Sequence, residues 1–314
     1  MREEFLIERK EADVYNYISG RVKVLETMLF TRETFEHFVT LSMEELRREL
    51  LDTPYREFIM SNEFFDQAIF QRFYFDINDM EKYVSKGFIN AFFKNKEIFL
   101  KIKKWVLSPD AIETMPLYIE LRRFAEEGSG NFPIEFHESC TKMSLFKENP
   151  LKVAIALDIY RLKYLVSSAA FVGSDLIKQY YSTYTESELQ NIFYRLKGFM
   201  DSRLVKEKDL LEILSTVFEV LPSFEFSRKA VGIKNKGQFR EFVLESGEIN
   251  DLMLKRRLIK ILEKGKFVNI GIEVIFVYLK RLEFEIETLS ILISGKKTQM
   301  SRDEILERVS ISYA

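Results

Sequence analysis

The stretch Glu273–Ser294, EVIFVYLKRLEFEIETLSILIS, decides the fold. Ile275, Tyr278, Leu279, Leu282, Ile286, Leu289 and Ile293 recur at steps of three and four, so they share one face of an α-helix. Lys280, Arg281, Glu283, Glu285 and Glu287 fall largely on the other face and read as a solvated charged surface. Their two-residue acidic spacing spreads the carboxylates around the helix and makes no catalytic pair. At about 1.5 Å per residue the segment is a rod of roughly 30 Å. Gly295 is expected to be the left-handed residue that closes it, with Lys296 and Lys297 suiting its negative end.

The same periodicity extends outward. After Asp13, Tyr15, Ile18, Val22, Leu25 and Leu29 form another apolar stripe. Ser42 with Glu45, Thr185 with Glu188, and Ser301 with Glu304 each have the spacing of a capping box and predict three helix starts. Pro54 predicts the end of the helix carrying Leu46 and Leu50, near Thr53. Residues 222–250, holding Pro222, Gly232, Gly237 and Gly247, read as the least helical part, a connecting loop or short extended pieces.

Composition agrees with long helices. Only 6 prolines and 12 glycines punctuate 314 residues, too few for the turns of a many-stranded sheet. With 46% apolar and 31% charged residues the chain is globular, with enough length for two or three packed units. A formal net charge of −2 excludes the broad positive field of non-specific nucleic-acid binding. Local basic clusters remain at Lys94, Lys96, Lys101, Lys103 and Lys104, and at Lys255, Arg256, Arg257, Lys260, Lys264 and Lys266. They read as solvated faces, as contacts for acidic partners or lipid headgroups, or as a local nucleic-acid face. The opening MREEFLIERKEADVY is charged throughout and is not expected to be a secretory signal. The apolar run Val274–Leu279 stops at Lys280 and Arg281, well short of the about 20 residues a membrane span needs.

Reactive chemistry is not expected. His37 and His137 stand in no metal-binding frame, and the one cysteine, Cys140, allows neither a zinc cage nor an intrachain disulfide. Cys140 reads as a small buried hydrophobe or an inert surface thiol in a reducing compartment. His137-Glu138-Ser139-Cys140, after Pro133, reads as a polar loop. Gly295-Lys296-Lys297-Thr298 resembles the end of a phosphate loop, but Ser290 replaces the earlier glycine and the segment follows a helix. No catalytic residue, cofactor-binding residue or metal ligand is assigned, and no small-molecule substrate is expected. The aromatic load, 29 phenylalanines and 14 tyrosines, is dense between Phe58 and Phe99 and reads as core, with some left for partner surfaces.

Three segments look alike: Phe88–Leu107, Tyr180–Met200 and Val274–Gly295. Leu100, Ile192 and Leu289 take matching places, as do Ile102, Tyr194 and Ile291, at spacings of about 92 and 97 residues, longer than solenoid periods. That suggests three similar helical lobes.

Ordered segments along the chain resemble the C-type subunit family of V/A-type (archaeal and bacterial vacuolar-type) ATPases, whose eukaryotic counterpart is the d-type subunit of the V-ATPase. Near the start these are Tyr15-Asn16-Tyr17-Ile18-Ser19-Gly20-Arg21-Val22, then Leu25 and Leu29, and the element Leu50-x-x-Thr53-x-Tyr55. In the middle they are Asp158-Ile159-Tyr160-Arg161-Leu162-Lys163-Tyr164 and Asn191-Ile192 through Arg195. At the end they are Glu285-Ile286, Ile291-Leu292-Ile293-Ser294-Gly295-Lys296, Ser301, Glu304-Ile305, Glu307-Arg308-Val309 and Tyr313. Two places depart from it: Thr288 stands where the family commonly has Asn, and Leu221-Pro222-Ser223-Phe224 lacks the glycines often found there. The resemblance implies an all-α chain of three similar domains in a pseudo-threefold funnel, taken as 1–110, 111–205 and 206–314. It also implies a non-catalytic rotor component on the cytoplasmic face of the membrane, without cofactor. That component would couple the central-stalk subunits (D and F type) to the membrane rotor ring for ATP-linked proton or sodium transport. Taken without the resemblance, the residues equally fit a helical scaffold or adaptor.

Overall fold

The structure is a computed structural model that describes residues 5–8, 12–62, 64–107, 133–146, 149–245 and 251–313. Among the described residues it is all-α, with no strand. The chain divides into two compact units, each drawn from separated segments. Unit 1 comprises Met1–Glu8, Ser85–Gly173 and Tyr181–Ile249; unit 2 comprises Arg9–Val84, Ser174–Tyr180 and Asn250–Ala314. The contiguous lobes 1–110, 111–205 and 206–314 are a different partition of the same chain.

Unit 2 contains α1 (Ala12–Glu26), α2 (Arg32–Thr40), α3 (Met43–Leu50), α4 (Arg56–Ser61) and α5 (Phe65–Met80). From the C-terminal part it adds α14 (Asp251–Lys264), a 3-10 turn (Gly265–Phe267), α15 (Ile272–Lys297) and α16 (Arg302–Tyr313). Its centre is α15, which packs against α1, α3, α5, α14 and α16. Unit 1 contains α6 (Lys86–Phe92), α7 (Asn95–Leu107), α8 (Ile134–Phe146) and α9 (Pro150–Val172). It also holds α11 (Glu207–Val220), α12 (Glu225–Ala230) and α13 (Lys236–Glu245). The unbroken α10 (Asp175–Asp201) starts in unit 2 and passes to unit 1 after Tyr180.

Local chemistry sets most boundaries. Ser42 and Glu45 form the full capping box at α3, with Glu45 N donating to Ser42 Oγ (3.2 Å) and Ser42 N donating to the Glu45 carboxylate (2.8 Å). Ser301 and Glu304 do the same at α16. Thr185 is different. It lies inside α10, fully buried, and its hydroxyl finds no partner among the described residues. Three capping-box spacings thus predict three starts, and at the middle one burial of the flanking apolar residues carries the helix straight through.

Other expectations are corrected in the same way. Of the residues 222–250 expected as a loop or extended pieces, 225–230 and 236–245 are instead helical, as α12 and α13, and 246–250 lie outside the described residues. Phe226 and Phe242 meet edge-on at 5.6 Å and both contact Phe193, so aromatic burial outweighs the scattered glycines. The segment His137–Cys140 is helical, within α8, because Pro133 precedes the first turn instead of breaking it. Gly295 does not close α15. Gln299 holds the left-handed conformation (φ 55°), and Met300 N donates to Gly295 O at 2.9 Å in the six-residue closure of a Schellman motif. Gly295 instead makes room: a Cβ there would lie 2.8 Å from Ile305 Cγ1, so α16 can approach only because the side chain is absent. Thr288 is buried and satisfies its hydroxyl on the Phe284 carbonyl (2.7 Å).

The dense aromatics are core in unit 1. Phe136 meets Phe5, Phe99 and Tyr164 within 5.2 Å, and Phe92 lies edge-on to Phe88 and stacked on Tyr181 at 5.0 Å. Such pairs add about 0.5–1.5 kcal/mol beyond area burial. Of the three like segments, the first is broken between α6 and α7 while the other two are continuous. Leu100 is half exposed, whereas Ile192 and Leu289 are buried.

Candidate functional site

The strongest concentration of buried charge lies in unit 2, around α15. Glu285, expected on a solvated face, is 0% exposed. Its position explains the correction: it sits three residues after Leu282 and four before Leu289, on the stripe that packs inward. Lys280 is buried too, paired with Glu283 at 2.7 Å. Three separate elements meet the Glu285 carboxylate. Phe30 N, between α1 and α2, donates at 2.6 Å; the Tyr55 hydroxyl, before α4, donates at 2.7 Å; and Arg72 Nη1, on α5, donates at 2.9 Å.

Arg72 is itself buried and links two acids. Its guanidinium stands 4.4 Å over the Tyr55 ring, and its Nε lies 3.8 Å from Asp76, which accepts from the Tyr278 hydroxyl at 2.8 Å. Next to it, Arg21 pairs with Asp79 at 2.5 Å. Burial would lower the Arg72 pKa, but Tyr55, Glu285, Tyr278 and Asp76 around it outweigh that and raise it, so the cation is permanent. Burial pushes the Glu285 carboxyl up, and Arg72, the Phe30 amide and Tyr55 pull it back. Asp76 is likewise raised above 3.8 by burial, against the pull of Tyr278 and Arg72.

A pH dependence follows from Asp76. A raised folded pKa means the folded state holds the proton more tightly than the unfolded one. The contribution of Asp76 is therefore full below 3.8 and is lost as pH rises through its raised folded value. The stability of wild type relative to Asp76→Asn should fall between those limits as pH rises, measured by urea unfolding at a series of pH values. A flat difference would refute the assignment.

Unit 1 has a second, smaller cluster. Arg161 on α9 is buried, reaches Asn95 and the Tyr184 hydroxyl at 3.4 Å, and lies 3.8 Å from Glu188. On the same helix pair, Arg195 donates to Asp158 at 2.8 Å. Both clusters join helices. Among the described residues no three His, Cys, Asp or Glu side chains converge as a metal site.

Of the residues considered for chemistry, those whose side chains are described are engaged. His37 is exposed and donates from Nε2 to Glu49 at 2.9 Å. Ser139 is buried and donates to the Phe136 carbonyl (2.9 Å), while the side chains of His137 and Cys140 lie outside the described residues. Lys296 Nζ donates to the carbonyls of Val39 (3.0 Å) and Leu41 at the end of α2, Lys297 pairs with Asp66, and Thr298 bonds back to Ser294. That segment cradles no phosphate, being a helix C-terminus whose donors are spent.

One face of unit 2 offers apolar groups. Met60, Phe64, Phe70, Tyr74 and Phe75 on and beside α4 and α5 are all exposed. The two helices are pinned by a reciprocal amide pair, Asn62 Nδ2 to Gln71 Oε1 at 2.7 Å and Gln71 Nε2 to Asn62 Oδ1 at 2.9 Å. Phe58 braces Phe75 at 5.7 Å. An exposed aromatic group held on rigid helices is the usual chemistry of a protein contact. Also among the described residues, no helix is long and apolar enough to cross a membrane. No family model matches the sequence, and no curated protein is similar to it.

Proposed function

We propose that the chain is a non-catalytic coupling component of a V/A-type rotary ATPase, seating the central stalk on the membrane rotor ring at the cytoplasmic face. The observation that carries this reading is where the family-like residues meet. Tyr55 of the Leu-x-x-Thr-x-Tyr element donates to Glu285 of the C-terminal segment, within unit 2. Arg195 of the Asn-Ile segment donates to Asp158 of the central one, within unit 1. Segments recognised separately along the sequence are thus mutual partners. In this reading the finer arrangement is three similar lobes forming a funnel that accepts the stalk tip. A torque coupler needs packed rods and complementary faces, and no activated acid or nucleophile.

The test is direct binding to purified stalk (D/F-type) and ring subunits. The full chain should bind both. Phe70→Ser with Phe75→Ser should weaken one of these contacts by at least about tenfold, the effect of losing central aromatic anchors. Absence of binding to both partners would overturn the proposal. The second reading, a scaffold or adaptor outside rotary motors, is favoured by the same exposed aromatic face, which suits any protein partner.

A further inference from the structure

We propose that the junction of α14 and α15 is a docking surface for an anionic lipid bilayer. Asp251–Gly271 carries six basic and two acidic residues, in a chain whose formal net charge is −2. The helix sorts them. Leu254, Leu258, Ile261 and Leu262 are buried, whereas Arg256, Arg257, Lys260 and Lys264 line the solvent face together with Met253 and a single described acid, Glu263. Lys255 is taken up by Glu287 (3.2 Å) and Lys264 by Gln179 (3.0 Å). Arg256, Arg257, Lys260 and Lys266 have no carboxylate partner among the described residues. Arg256 and Arg257 stand four and three residues before Lys260, the spacing at which like charges repel along a helix, so an anionic partner would relieve them.

Beyond that stripe the chain turns and presents apolar groups to water. Phe267 is 87% exposed and Ile270 56% exposed. The turn is fixed: Val268 N donates to Gly265 O at 3.0 Å, and Gly271 N donates to Ser19 Oγ at 3.4 Å. Lys266 also lines a cleft of about 110 Å³ with Phe30, Leu262, Glu263, Arg281 and Phe284, where two cations and one carboxylate stand beside apolar surface.

Charge and shape together select the occupant. Unpaired cations alone would suit any polyanion, an acidic protein included. A stable protein contact, though, buries on the order of 800 Å² per partner, and the apolar part here is a tip of two side chains. A headgroup boundary accepts such a tip, with isolated apolar side chains inserted and basic residues held at the anionic surface. The proposal is independent of the rotor reading, and its test contains only this chain and lipid.

The full chain is sedimented with vesicles of phosphatidylcholine alone and of phosphatidylcholine mixed with phosphatidylserine. Binding to the mixed vesicles, weakened by salt, and little to the neutral ones is expected. Lys260→Gln with Lys266→Gln should lower the partition roughly tenfold or more, and Phe267→Ser with Ile270→Ser by at least about tenfold. All four positions are solvent-exposed, and unchanged far-UV circular dichroism verifies the fold of each variant. Equal binding to both vesicle types, or none to either, overturns the proposal. So does undiminished binding by the Phe267/Ile270 variant, since the patch would then be a general polyanion site.

Discussion

Replacing Arg72 with methionine lowers the unfolding free energy by about 3–5 kcal/mol, because it leaves a buried carboxylate without its cation. Glu285 is wholly shielded from water, and Arg72 is its one charged partner within hydrogen-bond distance among the described residues. The amide of Phe30 and the hydroxyl of Tyr55 remain, but two neutral donors do not offset the desolvation of a full charge. The paired variant Arg72→Met with Glu285→Leu should recover much of the loss, since removing both charges removes the penalty as well as the attraction. Urea unfolding followed by far-UV circular dichroism measures both. A single variant within about 1 kcal/mol of wild type, or a double variant worse than the single, would refute this account of the cluster.

Phe92→Ala acts in the other unit and is expected to cost a similar amount, about 3–5 kcal/mol. Phe92 is 1% exposed, stacked on Tyr181 and edge-on to Phe88, and Tyr181 donates from its hydroxyl to the Phe92 carbonyl at 3.2 Å. Truncation removes a ring from this aromatic group and leaves a cavity that rigid helices close only in part. The urea midpoint of the variant, followed by far-UV circular dichroism, measures the loss. A shift of that midpoint smaller than that of a surface substitution such as Lys229→Ala would show that the site collapses and that the packing argument fails.

The parts of the fold legible in the sequence were those that local chemistry fixes. Ser42-Glu45 and Ser301-Glu304 announce helix starts because both partners of the box lie within one turn. The stripe from Ile275 to Ile293 announces α15 because periodicity is a property of the segment itself. Thr185-Glu188 has the same local pattern and fails, since what decides there is packing of Leu189, Ile192 and Phe193, which the box cannot sense. The candidate site was hidden for a related reason. Glu283, Glu285 and Glu287 look alike in sequence, and the middle one is internal only because donors 213 to 255 residues away converge on it. Its place between Leu282 and Leu289 was the one available sign. Gly295 shows the reverse error: a glycine near a helix end suggests a cap, and only the neighbouring Ile305 reveals that it serves close packing.

The three donors on Glu285 have a mechanical consequence. They come from three different parts of the chain, so the carboxylate acts like a key in a three-warded lock. Advancing α15 by a single residue would slide it about 1.5 Å and swing it through about 100°, withdrawing the key from every ward at once. The central helix of this unit is therefore indexed against ratcheting along its own axis, and stress applied to it passes into its neighbours without being relieved by slip.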